Sequence, residues 1–330
     1  MKTMKMIKVG VLALTSLTIL AGCGGAKNDK VAQDAVHTAI VNSSNVKSEN
    51  YSLILDGKVT AGKDSTAQFK ELKGSLNFSG AYDIKTKDDP KLTLKIGAKG
   101  TVDGGKEQSV GGEIVLANKN FYFLIGKLDV DGIPDLYKVA VDQFLNKWWS
   151  VALPPESLAQ FNAGAADDAN LTPEQKQLKE LMKKTQFFKN VKAAGADKVG
   201  DVEAEKYSVE LDKEALKTYL TEAAKISGQS AEGGDLEQVT KLVNTVEFKG
   251  SVWVSKDDQM MRKLDGTMTI AESPETAGSA ISFQATYMVD NLNKAVKVEA
   301  PAKSEKFDLS KIMGIPAAPV APAAPVVPVK

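Results

Sequence analysis

Apolar and polar residues alternate with a period of two through most of the chain, which is typical of antiparallel strands with one covered face. In the first half, such runs occupy residues 51–59, 72–84 and 92–98. Residues 114–117 and 121–125 follow as a hairpin around an Asn-Lys-Asn turn. Glycines recur inside these runs, and they predict bends or bulges in strongly curved strands.

The second half of the chain repeats the alternation and adds strands to the same predicted sheet. Strands are expected at residues 187–192, 206–211, 246–254, 262–270, 281–289 and 295–298. The clearest hairpin joins 246–254 to 262–270 through a polar Lys-Asp-Asp-Gln turn. No β-α-β unit recurs, so the pattern favours antiparallel pairing.

Helical spacing is confined to a few segments that interrupt or cap the strands. Residues 31–45 place apolar side chains on one face, and a helical insert is expected at about 156–186. Asp212 and Asp235 begin two further predicted helices. The predicted fold class is α+β: a large curved antiparallel sheet, or half-open β-barrel, that encloses or is capped by several helices.

The N-terminus has the form of a signal peptide. Lys2, Lys5 and Lys8 accompany an apolar run that is too short to cross a bilayer comfortably as a helix. The run ends in Leu-Ala-Gly-Cys at Cys23, which resembles the lipobox of bacterial lipoproteins at every position. The resemblance implies cleavage after residues 1–22, a diacylglycerol on the Cys23 thiol and usually a third acyl chain on the new amino group.

Lipidation at Cys23 would determine the cellular location of the protein. Each buried methylene contributes about 0.8 kcal/mol, so two or three acyl chains anchor a protein stably. Residues 23–30 would form a short lipidated tether that holds the body close to the membrane. Gly24 follows the cysteine, and the resemblance then implies an extracytoplasmic protein anchored to the outer membrane if the cell has one. The alternative is an ordinary secretory signal with a chance cysteine.

Composition and charge argue against nucleic-acid binding and catalysis. The chain carries 42 basic and 42 acidic residues, and the signal peptide would remove three lysines and no acids, which leaves a net charge of −3. One cysteine and one histidine provide no disulfide, thiolate metal site or ready catalytic triad. The acidic pairs at 167–168 and 257–258 fall in predicted loops or turns, where they are solvated. We therefore expect no enzyme, catalytic residue, metal or cofactor.

The C-terminal residues 313–330 are rich in proline, alanine and valine. Proline recurs at every third position, at Pro316, Pro319, Pro322, Pro325 and Pro328. Polyproline II has three residues per turn, so these prolines would line one face of an extended rod. The segment is interpreted as a disordered spacer, and the alternative is docking to an aromatic groove on another envelope protein.

The order of motifs resembles one family of envelope lipoproteins. After the lipobox, a first helix, the strand at Tyr51 and a Trp-Trp strand come Glu-Lys-Tyr-Ser-Val at 205–209, Gly-Ser-Val-Trp-Val-Ser-Lys-Asp-Asp at 250–258 and Arg-Lys-Leu at 262–264. This is similar to the LppX/LprG-type lipoproteins and the wider LolA/LolB-like fold. The resemblance implies one half-barrel domain over 31–312, with a hydrophobic cavity that binds acyl chains of a lipid, glycolipid or lipoprotein for transport across the envelope.

The family has no invariant catalytic residue to carry over, so the cavity candidates come from the apolar faces of the predicted strands. They are Leu53, Leu55, Leu76, Phe78, Tyr82, Leu94, Phe123, Trp148, Phe248, Val252, Met268 and Phe283. A register shift of one residue would move any strand's candidates to the other face. Trp148 and Trp149 are adjacent and must face opposite sides, so one of them enters the interior.

Two functions remain open at this point. The first is a membrane-anchored lipoprotein that binds a hydrophobic ligand in the half-barrel. The second is a structural or sensory envelope lipoprotein that binds a protein partner and has a filled core and no ligand. They differ in whether the apolar interior is left empty by the protein's own side chains.

Overall fold

The structure is a computed structural model that describes residues 29–63, 66, 68–86, 89–132, 141–154, 171–228, 234–273 and 276–307. The predicted signal peptide, Cys23 and the proline-rich tail lie outside the described residues, as do residues 155–170 of the expected helical insert. The expected tether overlaps the structure at its end, because the first described helix already begins at Asp29.

Twelve strands of the described chain form one sheet. The strands are β1 (Ser48–Thr60), β2 (Glu71–Asp83), β3 (Lys91–Val102), β4 (Gln108–Ala117), β5 (Asn120–Asp129), β6 (Trp148–Ala152), β7 (Phe188–Val199), β8 (Val202–Leu211), β9 (Val246–Ser255), β10 (Met261–Ile270), β11 (Ala280–Asp290) and β12 (Glu305–Lys306). The four described helices are α1 (Asp29–Ser43), α2 (Pro173–Lys184), α3 (Lys213–Ile226) and α4 (Gly234–Thr245).

Two antiparallel meanders meet in the middle of this sheet. The strand order is β12-β6-β5-β4-β3-β2-β1-β11-β10-β9-β8-β7, with β1 and β11 paired at the junction. Every pairing is antiparallel except that of β12, which runs parallel to β6. The sheet is open, because its first and last strands do not pair with each other. The prediction of a large, open antiparallel sheet with several helices is confirmed.

Local sequence accounts for the turns and helix starts. Asn118 and Lys119 both have positive φ, at 53° and 60°, as the tight primed turn between β4 and β5 requires. The Thr172 side chain accepts a hydrogen bond from the Gln175 amide, and the Gln175 side chain accepts one from the Thr172 amide, so the pair forms a capping box for α2. The Asp212 side chain caps α3 by accepting hydrogen bonds from the Glu214 and Ala215 amides.

No helix of the described residues is both long enough and apolar enough to cross a bilayer.

The main core lies between α1 and the second meander. Residues spaced three or four apart on α1 are buried, namely Ala32, Val36, Ala39 and Ile40. They pack against buried residues of β7–β10, including Val191, Tyr207, Val252 and Met261. Helix α2 contacts α1 and α3, and α3 contacts α4, so the described helices gather at this half of the sheet.

The other half of the sheet has no comparable layer among the described residues. The principal helix–sheet contacts of the described helices all fall on β7, β9 and β10. We refer to β1–β6 as the open half and to β7–β10 as the covered half. The apolar side chains of the open half therefore have less helical cover than those of the covered half.

Three glycines lie side by side at the centre of the open half. The register pairs Gly57 with Gly74, and Gly74 with Gly100. A Cβ atom added at Gly74 would lie 2.5 Å from the Lys99 carbonyl oxygen, and one added at Gly100 would lie 2.7 Å from the Lys73 carbonyl oxygen. Neighbouring backbones therefore approach too closely for any side chain, as expected where strands bend.

Both edges of the sheet discourage further strand pairing. Edge strand β7 carries two bulges, with positive φ at Asn190 and Gly195, and most of its residues are exposed. The opposite edge, β12, is two residues long. Bulges, exposed polar side chains and short strands are the usual ways in which proteins protect sheet edges.

The prediction of a strand at residues 295–298 is wrong. These residues have no regular secondary structure, and the chain continues to the far edge of the sheet, where β12 pairs with β6. Val298 and Ala300 pack against the cluster that contains Val115 and Tyr122. The alternation in sequence therefore reflects an extended segment lying on the sheet surface, since alternate side chains of any extended chain point the same way.

Two valines of α1 allow a matched test of its packing, because one is buried and the other is exposed. Val36 is 1% exposed and Val31 is 44% exposed. Val36→Ala should lower the free energy of unfolding by about 2 kcal/mol, since it removes two buried methyl groups and leaves a cavity. Val31→Ala should change it by less than about 0.5 kcal/mol. Urea denaturation of both variants tests this, and equal effects would contradict the packing described.

Candidate functional site

One face of the sheet is apolar across both meanders. Residues that pair across antiparallel strands share a face, so the ladders identify every member of it. In the open half this apolar face carries Tyr51, Leu53, Leu55, Leu76, Phe78, Leu94, Ile96, Ile114 and Phe123. The opposite, polar face carries Asp56, Asn77, Lys95, Lys99 and Glu113.

Eleven of the twelve cavity candidates lie on the apolar face, but they do not form one group. Phe248 and Val252, at 6% and 1% exposure, belong to the filled core beneath α1. Leu53, Leu55, Leu76, Phe78, Tyr82, Leu94 and Phe123 lie on strands of the open half. Phe283 lies on β11 between the two halves, and Met268 lies on β10 of the covered half, where it packs against the core. The open-half candidates are therefore the ones that remain available to a ligand.

Trp148 is the exception and requires a correction. Its ladder partner is Leu124, and Leu124 pairs with Glu113 on the polar face. Trp149 pairs with Phe123 and is the tryptophan that joins the apolar face. Both residues are large and apolar, so alternation within the strand could not decide between them.

An aromatic cluster closes the far edge of the apolar face. The ring centroid of Phe307 lies 5.2 Å from that of Phe123 and 6.1 Å from that of Trp149, with near-perpendicular planes. Phe144 lies 5.2 Å from Trp149. The Phe307 amide donates to the Ser150 carbonyl at 2.9 Å. Phe307, which directly follows β12, is thereby fixed beside the open half, and edge-to-face packing adds to its stability.

Large apolar side chains remain exposed on the open half. Leu76 is 43% exposed, Val110 is 42%, Val102 is 38% and Leu72 is 36%. Single exposed leucines are ordinary, but these positions are linked by register, because Leu72 pairs with Val102 and Ala98 pairs with both Leu76 and Val110. Exposed apolar side chains grouped on one face in this way are typical of surfaces that contact another molecule.

A depression of about 530 Å³ opens at the junction of the meanders, but it is not the apolar site. Gly57, Gly74 and Phe283 contribute to its lining, and the remaining lining residues include Asp56, Lys58, Lys73, Ser282 and Gln284. The side chains of these polar residues lie on one side of the sheet. These side chains alternate with apolar-face residues along β1, β2 and β11, so the depression lies on the polar face.

A carboxyl group is buried at one end of the apolar face. Glu49 is 8% exposed and pairs across the ladder with Tyr82. The Tyr287 hydroxyl donates to Glu49 Oε1 at 3.2 Å. Two neighbouring tyrosines are satisfied elsewhere, since Tyr51 donates to the Thr93 carbonyl at 3.1 Å and Tyr82 to the Val46 carbonyl at 3.3 Å. We refer to Glu49, Tyr51, Tyr82 and Tyr287 as the Glu49 cluster.

Burial sets the proton affinity of this cluster. Removal from water raises the pKa of Glu49 to about 7, and the hydrogen bond from Tyr287 opposes the rise. Burial, and then the nearby Glu49 charge, raise the pKa of Tyr51 to about 12. The same two causes place the pKa values of Tyr82 and Tyr287 well above their usual range.

Sequence reasoning missed Glu49, although a signal was present. Glu49 has the same parity as Tyr51, Leu53 and Leu55, so the alternation that assigned those residues also assigns Glu49 to the apolar face. A charged residue on the apolar parity of a strand is unusual because burial of a lone charge is costly.

Trp253 belongs to the motif at residues 250–258, and its contacts are those of a structural residue. It lies on the polar face, where Lys206 Nζ and Lys263 Nζ are 4.7 and 4.5 Å from the ring centroid. Its indole nitrogen donates to Asp197 Oδ2 at 2.8 Å. The two lysines and the aspartate cover the tryptophan, so the motif maintains the outer surface of the covered half.

The described residues contain no group of three or more histidine, cysteine, aspartate or glutamate side chains that could hold a metal ion.

Comparison with known proteins gives similarity at the level of structure alone. No family model matches the chain, and no curated protein matches it in sequence. Among solved structures, LprF from Mycobacterium bovis is 12% identical to this chain with a TM-score of 0.36. The match covers 82% of this chain and 97% of the LprF chain. Lipoprotein LppX of Mycobacterium tuberculosis is 9% identical with a TM-score of 0.32, covering 82% and 100%.

A third similar structure is the MucA/MucB complex of Pseudomonas aeruginosa, at 9% identity and a TM-score of 0.22, covering 78% of this chain and 56% of the other. LppX is one of the lipoproteins that the sequence motifs resemble. All three TM-scores lie below 0.5, so no residue role passes from these proteins to this chain.

The Glu49 cluster predicts a pH-dependent stability. The folded state binds the Glu49 proton with a pKa of about 7, above the ordinary 4.5 expected when unfolded. Its stabilising contribution is therefore complete below about pH 4.5 and is lost as pH rises through 7, by about 3 kcal/mol in total. Glu49→Gln cannot titrate, so it should remove this decline and be the more stable protein at pH 8.

Urea denaturation of wild type and Glu49→Gln between pH 4 and 9 measures this difference directly, because other titrating groups cancel between the two proteins. Tyr287→Phe removes the hydroxyl that favours the charged form, and it should extend the decline to higher pH. A wild-type minus Glu49→Gln difference that is independent of pH would contradict the assignment.

Proposed function

We propose that this chain is an extracytoplasmic lipoprotein that binds acyl chains on the apolar face of its open half. The ligand would be a lipid, a glycolipid or the acyl chains of a lipoprotein. The protein would bind or carry this ligand without chemical change, so no enzymatic activity is proposed. Residues 31–312 would act as one half-barrel domain.

The contiguous apolar face of β1–β6 is the observation that supports this proposal. Its side chains are those of a protein interior, while the opposite face of the same strands carries lysines, acids and amides. In the covered half, α1 provides the layer that such a face requires. The proposal assigns the corresponding role in the open half to a hydrophobic ligand, since each methylene removed from water contributes about 0.8 kcal/mol.

The N-terminal sequence supports the proposed location. Lipidation of Cys23 would anchor the protein outside the cytoplasm, in the outer membrane if the cell has one. Helix α1 begins at Asp29, five residues after Gly24, so the sheet would be close to the lipid surface. The proline-rich tail follows the edge strand β12 after a few residues, and we assign it the role of a spacer or of a contact to another envelope protein.

Native mass spectrometry separates this proposal from a structural or sensory lipoprotein. The full mature chain carrying Cys23→Ser, purified from the cell envelope, should have an added mass that organic extraction removes. It should also take up a fluorescent fatty-acyl probe after extraction. A single apoprotein mass together with no uptake of the probe would contradict acyl binding and favour a protein-partner role.

A pair of surface substitutions on neighbouring strands tests the face itself. Leu76→Gln replaces an exposed side chain of the apolar face, and Lys99→Gln replaces an exposed side chain of the polar face. Leu76→Gln should weaken acyl-probe binding by about three- to tenfold, from the loss of apolar contact. Lys99→Gln should leave binding unchanged. Stability should change little in either, and equal probe binding by both would contradict the proposed face.

A further inference from the structure

Six neighbouring strands place an apolar residue in one transverse row at the same end of the sheet. The register pairs Val246 of β9 with Ile270 of β10 and continues strand by strand to Val102 of β3. Each member of the row is the terminal residue of its strand or the one next to it. We refer to this row as the apolar rim, which consists of Val246, Ile270, Ile281, Val59, Leu72 and Val102.

The open-half part of the apolar rim is exposed. Leu72 is 36% exposed and Val102 is 38% exposed. The exposed Leu76 and Val110 lie four residues further along the strands, in the row that contains Ala98. In the corresponding row at the opposite end of the same face, Leu116 is 1% exposed and Glu49 is 8% exposed. The exposed apolar surface of these strands is therefore concentrated at the rim end.

Helix α1 begins at the rim end of the molecule. Strand β7 starts at the same end as β9, because both strands pair antiparallel with β8. The Gln33 side chain donates to the Phe188 carbonyl at the start of β7, and the Asn42 side chain donates to the Gln259 carbonyl in the β9–β10 turn. Helix α1 therefore runs from the rim end to the opposite end. The exposed apolar side chains that the helices add at the rim end are Val31 and Leu242.

The start of α1 limits how a protein anchored at Cys23 can be oriented on a membrane. The chain from Cys23 to Asp29 reaches about 20 Å when fully extended. Glu49, at the opposite end of β1, lies ten residues from Val59, which is about 33 Å along the strand. An anchor at Cys23 can therefore bring the rim end to the bilayer, but it is too short to allow the opposite end to reach the bilayer instead.

Charged side chains beside the apolar rim pair with one another. Lys73 Nζ lies 2.6 Å from Glu71 Oε1. Lys106 Nζ lies 3.1 Å from Asp129 Oδ1 and 3.5 Å from Asp131 Oδ1. Because these charges are balanced locally, a contact at this end would come from apolar area in preference to net charge, and exposed apolar patches are typical of membrane contacts as well as protein contacts.

We propose that the apolar rim contacts the surface of the lipid bilayer that holds the Cys23 anchor, with the Glu49 end of the sheet pointing away from it. The side chains of Leu72 and Val102 enter the interface between headgroups and acyl chains, where apolar side chains are removed from water. This inference rests on the proposed anchor at Cys23 and does not require acyl binding by the open half. If the open half does bind acyl chains, its apolar face begins at the bilayer.

Two valines of the apolar face provide matched reporter positions for this orientation. Val102 on the rim is 38% exposed, and Val151, which shares the face through Phe121, is 36% exposed at the opposite end. Cys23 is the only cysteine of the chain, so in the lipidated protein Val102→Cys or Val151→Cys supplies a unique thiol for an environment-sensitive fluorophore. Each labelled, full mature lipidated chain is reconstituted into vesicles of phosphatidylethanolamine and phosphatidylglycerol that contain doxyl-labelled phosphatidylcholine.

The two labels should respond differently. The label at position 102 should shift its emission to shorter wavelength and lose intensity to the doxyl groups. The label at position 151 should do neither, because it lies about 33 Å further along the strands. Equal quenching at the two positions, quenching at position 151 alone, or quenching at neither would overturn the proposal.

The same labels on the Cys23→Ser chain separate bilayer contact from a lipid carried on the apolar face. These unanchored chains are incubated with the same vesicles and recovered in the supernatant after sedimentation, so quenching there comes from bound lipid. Stronger quenching at position 102 in the anchored chain supports rim contact, whether or not lipid is carried. Equal quenching in anchored and unanchored chains overturns rim contact and leaves acyl binding intact. A mature envelope protein without acyl chains on Cys23 would remove the anchor, and the proposed orientation with it.

Discussion

The uninterrupted register through the centre of the sheet is the constraint on which the rest of the structure depends. The ladders of β1 with β2 and with β11 pair thirteen and eleven consecutive residues without a bulge. Because strand side chains alternate strictly, one inserted residue in β1 would exchange the two faces for everything beyond it. The continuous ladder lets two meanders, formed mainly from strands that are consecutive in sequence, share one apolar face.

The shared apolar face is covered by a helix in one half of the sheet and not in the other. Over β7–β10 it is covered by α1, and the contacts of Val36 and Ile40 form an ordinary protein core. Over β1–β6 the same pattern continues without an equivalent helix among the described residues. The face stays apolar across the boundary, so the two halves differ in what covers them. Glu49 lies at this boundary and is the residue that departs from the pattern.

Much of this arrangement could be predicted from the sequence because it is local. Alternation assigned the face of Leu53, Phe78 and Phe283, and capping residues located the start of α3 at Asp212. The errors are non-local. The face of Trp148 depends on its pairing with β5, which two adjacent tryptophans do not specify. Strand β12 consists of two residues whose partner lies about 155 positions away, so it leaves no pattern to recognise.

The two protected edges have a consequence for how copies of this protein meet. Strand addition at β7 would have to accommodate two bulges, and β12 offers only two residues of backbone. Filament growth through the backbone is therefore disfavoured at both ends of the sheet. The exposed apolar side chains of the open half remain available for contact between copies. Association through these side chains would bring two copies together face to face, as a closed pair in place of an extended fibril.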